Sequence, residues 1–409
     1  MNLNQNVKEV PRINLFEINQ ATNKFAFDLY KQVQSDKGNL FFSPASIITA
    51  LAMVYAGARG KTEIELAKAL NLTLRQEDLH PAFAKWISEL IEDANQSRNQ
   101  LNIANSLWGR KGFEILPTFL NLLTENYGTE LKEIDFDLPS EAAEQINNWV
   151  AQQTENKIRD ITNPEMFDSL TRLILANAIY FKGAWKSPFE EYDTHDAPFT
   201  LEADSSGQTV QVPLMSIEEE INYSEGEDYQ AIELPYVGDK FSMIIFLPKK
   251  ENVSGFKQLF SKRDGENTLE KFEQTFTLEN FTGWRPKHTE KVKVYVPKFK
   301  VSADLELVTV LRELGITDAF SPDDANFAGI SDKEPLYISN ALHKAWVEVN
   351  EEGTEAAAST IFAVALGLAM TTIPQPKIFR ADHPFLFLIC RKYTNNILFM
   401  GRVMNPLES

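Results

Sequence analysis

Cysteine is almost absent from this chain. Cys390 stands alone, so no disulfide can form within the chain. Positive charge is short as well: 40 Lys and Arg face 58 Asp and Glu, for a net charge of −18. That balance argues against nucleic acid, heparin-like polyanions and anionic membranes as general partners, and it favours solubility. No apolar run reaches the roughly 18 residues needed to span a bilayer. The segment 356–370 comes nearest, and Ser359, Thr360 and Gly367 interrupt it. The opening stretch MNLNQNVKEVPRINLFEINQ lacks the basic start and apolar centre of a secretory signal. The expectation is therefore a cytoplasmic or non-classically exported protein, in which the sequons at Asn71, Asn95, Asn252 and Asn280 are chance.

Catalytic and metal-binding patterns are missing too. The histidines are His80, His195, His288, His343 and His383, and none sits in an HExxH or a paired Cys-x-x-Cys arrangement. The run GARGKT at 57–62 looks like a phosphate-binding loop. That loop needs a glycine where Tyr55 stands, and it should follow a strand rather than a helix. No G-x-S-x-G elbow is present. Cys390 lies inside the apolar run FLFLIC, where a thiol is buried and inert, so a Cys390–His383 pair is not expected. The chain reads as no enzyme, with no metal and no cofactor.

What is there reads as one α+β domain, 1–409, without repeats or a linker. The early part is helical. FAFDLYKQV (25–33) has helical apolar spacing. In 41–60, Ser43 is placed to cap, Pro44 to occupy the first turn, and the apolar residues cover every face, as in a buried helix. Gly57 and Gly60 are expected to end it, and Thr62 with Glu65 have capping-box spacing for the next helix. Later runs are β-branched or aromatic: 172–181, 241–248, 291–299, 343–350 and the pair within 385–403. Helices first and strands later, without βαβ alternation, predicts mainly antiparallel sheets.

The stretch EEGTEAAASTIFAVALGLAM (351–370) is the oddest. Laid out as a strand, its even positions run Thr354, Ala356, Ala358, Thr360, Phe362, Val364, growing bulkier along the chain. Its odd positions are mostly small, and the turn-like TTIPQP that follows suits a loop. The segment is fit to be both loop and strand.

Read together with NLFFSPASI (39–47), GARGKTEIE (57–65), LANAIYFKGAW (175–185), FSMIIFLP (241–248), ISNALHKAWVEVNEEGTEA (338–356) and ADHPFLFLI…ILFMGRVMNP (381–406), the chain resembles the serpins over nearly its whole length. The resemblance implies a fold of three β-sheets and about nine helices with an exposed reactive loop at about 351–377. It implies a monomer that traps a serine protease as a covalent acyl-enzyme, the cleaved loop inserting into the central sheet. It assigns a hinge to Gly353, Thr354, Glu355, Ala356, Ala357, Ala358, Ser359 and Thr360. It assigns a polar shutter to Ser43, Ser46, Asn177 and His343, and a breach to Trp185, Lys298 and Glu351. Small hinge residues favour the inhibitory type over a chaperone, storage or carrier serpin, which remains the alternative.

The scissile bond stays open. Counting forward from Gly353 by the family spacing gives Gly367–Leu368. Counting back from DHPF gives a bond near Met370–Thr371, and Leu368–Ala369 competes with both. No Arg or Lys lies between Gly353 and Pro376, so the expected target is elastase-, chymotrypsin- or subtilisin-like rather than trypsin-like. Heparin-activated serpins carry a basic helix where this chain has 75–100. Here Arg75, Lys85 and Arg98 are mixed with Glu77, Asp78, Glu89, Glu92 and Asp93, so no heparin activation is expected.

Overall fold

The computed structural model describes residues 15–201, 208–250, 268–354 and 375–408. Its helices are α1 (Leu15–Val33), α2 (Pro44–Tyr55), α3 (Gly60–Ala69), α4 (Gln76–Gln96), α5 (Pro117–Tyr127), α6 (Pro139–Gln153), α7 (Thr268–Thr275), α8 (Leu278–Trp284) and α9 (Leu307–Glu313). The strands are β1 (Leu40–Phe42), β2 (Gln100–Arg110), β3 (Leu131–Ile134), β4 (Leu173–Ala184), β5 (His195–Thr200), β6 (Thr209–Glu225), β7 (Tyr229–Pro235) and β8 (Phe241–Pro248). They continue as β9 (His288–Pro297), β10 (Phe299–Glu306), β11 (Ile338–Val349), β12 (Gly353–Thr354), β13 (Lys377–Arg380), β14 (Phe385–Arg391) and β15 (Asn396–Val403). None of the described helices is long and apolar enough to cross a membrane.

The central sheet has the order β10-β11-β12-β4-β2-β3. The other strands form one hydrogen-bonded network, because two sheets share the long strand β6. Its start pairs with β5, its middle with β9, which in turn carries β13, and its end with β7. From β7 the second of these sheets runs on through β8, β14 and β15 to β1. The three-sheet α+β architecture is thus present, with two sheets fused along one strand.

Between the central sheet and the rest lies the main core, and α2 runs through it. Every residue of α2 is buried, as its all-round apolar sequence requires. At the start of α2, Ser43 Oγ accepts a hydrogen bond from Ser46 N, at 3.1 Å, and Pro44 fills the first turn. The opposite face of the sheet is covered by α6, whose Ala142, Ile146 and Val150 pack with Trp108 and Ile174. Strand β4 is therefore buried on both faces, which explains why its sequence shows a run of apolar residues rather than alternation.

Three local expectations are corrected. Residues 40–42 are strand β1, and α2 stops at Tyr55, before either glycine. Gly60 opens α3 instead of closing α2. Thr62 and Glu65 form no capping box: Thr62 Oγ1 accepts the amide of Asn326, and Glu65 Oε2 accepts those of Thr317 and Asp318. The two side chains tie α3 to the segment that leads into β11. The run 291–299 is not one strand either. It divides at Lys298, with β9 in one sheet and β10 in another.

Candidate functional site

Strands β4 and β11 are the parallel pair at the centre of the six-stranded sheet. They are bonded directly to each other from Ile338–Leu173 to Trp346–Tyr180. Above that point they part. The chain turns after Val349 and comes back as β12, which lies antiparallel to both: Thr354 pairs with Val349 and with Gly183, and Gly353 with Ala184.

Asn350 makes that turn. Its Oδ1 accepts the amides of Glu352 (3.1 Å) and Gly353 (3.2 Å), and its own amide donates to Gly353 O at 3.0 Å. Trp185 and Phe189 hold the turn from outside. Trp185 Nε1 donates to Asn350 O (3.0 Å), Trp185 N to Glu352 O (2.9 Å) and Phe189 N to Glu351 O (2.9 Å). Glu351 points away from solvent toward Lys298, whose Nζ is 2.8 Å from Oε2, while Thr194 Oγ1 donates to Oε1 at 2.9 Å. Burial works against ionising this carboxyl. The hydrogen bonds from Lys298, the backbone and Thr194 outweigh it and hold the group below its ordinary value. The Lys298 end is half-exposed, so the pair itself contributes little, but removing Lys298 would leave a buried carboxylate without its cation. Lys298 is available there because it is the residue at which the chain changes sheets.

Gly353 has φ +154°, and a Cβ on it would lie 2.1 Å from Gly183 O. Glycine is needed at this close approach between two backbones, not for a bend. Thr354 is completely buried, with Oγ1 2.7 Å from the hydroxyl of Tyr236.

Lower down, a row of polar residues crosses the sheet. Asn105 on β2, Asn177 on β4 and His343 on β11 are register neighbours. Asn177 Nδ2 donates to Ser46 Oγ (2.6 Å) and to Asn105 Oδ1, and Ser46 Oγ donates to Asn105 Oδ1 at 3.3 Å. Ser43 Oγ donates to Leu398 O at 2.6 Å. Ser43 N donates to His343 Nε2 at 3.0 Å, so that nitrogen is an acceptor and the ring proton sits on Nδ1, where it donates to Asn177 Oδ1. The imidazole is neutral and fully buried, and burial pushes its pKa down to about 3. Separating β11 from β4 would break the His343–Asn177 bond, so this row is a latch across the seam.

A pH dependence follows. The unfolded chain takes up a proton at this histidine as pH falls below 6.5, whereas the folded chain resists until about 3. Its contribution to stability is whole above about pH 6.5 and is lost progressively as pH falls toward 3. Buried His80, pushed down to about 4, acts with the same sign. Urea unfolding between pH 7 and 4 should show a shallower pH slope for His343→Gln than for the unaltered chain; equal slopes would remove His343 from this role.

The structure brings together the four shutter residues, and it brings Trp185, Lys298 and Glu351 around one turn. Glu355 to Thr360 and the bonds from Gly367 to Thr371 lie outside the described residues. Sequence reading missed Asn105, Thr194, Tyr236 and Asn350. Only Asn350 carried a signal, an asparagine three residues before a glycine. Cys390 is fully buried, its thiol pushed up to about 12 by burial, and His383 bonds instead to Pro248 O and Asp382 Oδ1.

Comparison with known proteins now fits this geometry. The chain is 40% identical to an uncharacterized serpin-like protein of Thermococcus kodakarensis, over 95% of this chain and 85% of that one. It is 37% identical to the leukocyte elastase inhibitor of Xenopus laevis, over 95% and 99%. The crystal structure of Serpin48 from the insect Tenebrio molitor superposes with a TM-score of 0.79 at 32% identity, covering 95% of this chain and 98% of that one. The family model described as Serpin (serine protease inhibitor) matches residues 20–406. With a family model over nearly the whole chain, relatives at 37–40% identity and a matching fold, the chain belongs to the serpin family.

Proposed function

We propose that this serpin is a suicide-substrate inhibitor of serine proteases with apolar specificity. The observation that carries the reading is the seat of the hinge. Gly353 and Thr354 already lie between β4 and β11 and antiparallel to both, while the two strands remain closed on each other below. A strand continuing from Thr354 has its direction set and only the seam to open.

The protease serine Oγ attacks the carbonyl carbon of the reactive bond, the C–N bond breaks, and an ester links enzyme and inhibitor. The new amino terminus departs with the C-terminal piece, which β13 holds against β9. The other piece enters the seam. About 15 residues at roughly 3.3 Å each would carry the protease some 50 Å, and it is trapped if insertion outruns hydrolysis of the ester. The chain turns nothing over and needs no cofactor.

The bonds Gly367–Leu368, Leu368–Ala369 and Met370–Thr371 are the proposed cut sites, and the name leukocyte elastase inhibitor of a relative agrees with apolar specificity. Incubation with elastase-, chymotrypsin- and subtilisin-like proteases should yield an SDS-stable band near the summed mass. N-terminal sequencing of the released fragment should begin within 368–371. If every protease merely nicks the loop, the inhibitory reading fails and a non-inhibitory serpin replaces it. We also propose that heparin does not activate the chain, since Arg75 on the α4 side is already paired with Glu77 and Asp78.

A further inference from the structure

We propose that Tyr236 is a positioning residue for the trapping step: its hydroxyl seats Thr354 and so fixes the register in which the hinge enters the central sheet. This rests on the inhibitory reading above. Tyr236 is fully buried and lies just beyond β7, outside the strands it serves. Its ring is packed by residues outside β12. It stacks on Trp185 with ring centroids 4.7 Å apart and planes 11° from parallel, and meets Phe181 edge-on at 5.1 Å. Its amide donates to Phe241 O at 3.0 Å. The hydroxyl is therefore a fixed point, 2.7 Å from Thr354 Oγ1.

Both hydroxyls are out of water, and among the described residues each has only the other as a hydrogen-bond partner. Burying either without its partner is costly, whereas replacing both by apolar groups of the same shape is nearly neutral. The pair thus makes one register better than its neighbours. A slip by one residue would set Gly353 against the hydroxyl and leave it unsatisfied. The slot adds a steric limit: a Cβ on Gly183 would meet Tyr236 Cδ1 at 2.8 Å, and one on Gly353 would meet Gly183 O at 2.1 Å. Tyr236, Gly183 and Gly353 together admit the hinge in one way.

The test uses Tyr236→Phe, Thr354→Val and the double variant in the full chain. Each single change strands one buried hydroxyl; the double change removes both. Hydrogen–deuterium exchange of the uncleaved protein reads the seat through the amides of 350–354. The ratio of SDS-stable complex to cleaved inhibitor reads the trapping step. Each single variant should raise exchange about tenfold and shift the ratio toward cleaved chain. The double variant should return both readouts to within about twofold of the unaltered protein, a rescue that general destabilisation by Tyr236→Phe would not show. Unchanged single variants, or a double variant as impaired as the two effects combined, would overturn the proposal. Failure of the unaltered chain to trap any protease would sink the inhibitory reading and the trapping role with it, while the exchange measurement would still decide whether Tyr236 holds the hinge.

Discussion

A single cut between Gly367 and Thr371 is expected to raise the unfolding temperature of the chain by about 10 °C or more. The physical reason lies in the seam. β4 and β11 share one parallel ladder from Leu173 to Tyr180 and from Ile338 to Trp346. A strand entering between them from Thr354 would run antiparallel to both, as β12 already does. One parallel ladder would be exchanged for two antiparallel ones, and antiparallel pairing is slightly the better per residue. At a net of about 1 kcal/mol per added hydrogen bond, a ladder of this length contributes on the order of 10 kcal/mol. Apolar side chains at alternate positions, Phe362, Val364 and Leu366, would add up to roughly 1.5–3 kcal/mol each if insertion buries them from water. In a chain of this size about 1 kcal/mol moves the midpoint by only a degree or so, hence the modest figure. Thermal melts of intact chain and of chain nicked by a non-target protease would measure it. Coincident melts would mean that the cut loop does not insert, and both the trapping mechanism and any other use of insertion would fall.

On the proposed mechanism the uncut chain is the less stable form of the same sequence, and the row Asn105, Asn177, His343 is where conversion would be resisted. Ser43 and Ser46 are ordinary first-turn residues of a buried helix, and the sequence alone makes one of them a cap. Their second role depends on Asn177 and His343, which arrive from strands far along the chain. No periodicity announces such a cluster. It became legible only through resemblance to a family, and Asn105, equally part of it, was not found even so. The same holds at the turn. Glu351 and Lys298 are an expected pair, but Tyr236 lies in the turn after β7, whose sequence, YVGDK, carries no pattern that points to the hinge. Local rules served well where the chain satisfies itself locally, as at Ser43 and in the apolar run of β4. They misled at Thr62 and Glu65, whose spacing fits a capping box but whose oxygens serve amides from another part of the chain. They misled also at Lys298, where an unbroken strand pattern conceals a change of sheet.

Gly353→Ala should abolish the seated hinge and turn the inhibitor into a substrate. The alanine methyl would sit 2.1 Å from Gly183 O and 2.7 Å from Ala184 Cα. Both atoms belong to the backbone at the end of β4, just past its last pair with β2 at Lys182, where Ala184 O accepts the amide of Val237 at 2.8 Å and Trp185 bridges to Tyr236. Moving either atom would disturb these contacts to 236–237, and the positive φ adds strain for any L side chain. The cheaper response is for β12 to leave. With it would go its pairing to both strands, the Tyr236–Thr354 bond and the turn held by Asn350. For the uncut chain the loss is expected to be about 2–4 kcal/mol, the upper end for a single substitution. The larger effect falls on trapping. On the proposed mechanism acylation takes place at one of the bonds within 367–371, many residues beyond Gly353, and should keep its rate. Insertion, on the same mechanism, would begin at Gly353 and compete with hydrolysis of the ester. A first residue pair that cannot enter delays the whole strand, so the yield of SDS-stable complex should fall more than tenfold while cleavage continues. Single-turnover gels that follow complex and cleaved chain together would separate the two rates. Undiminished complex would mean that the hinge enters the sheet without passing through the seat occupied by Gly353.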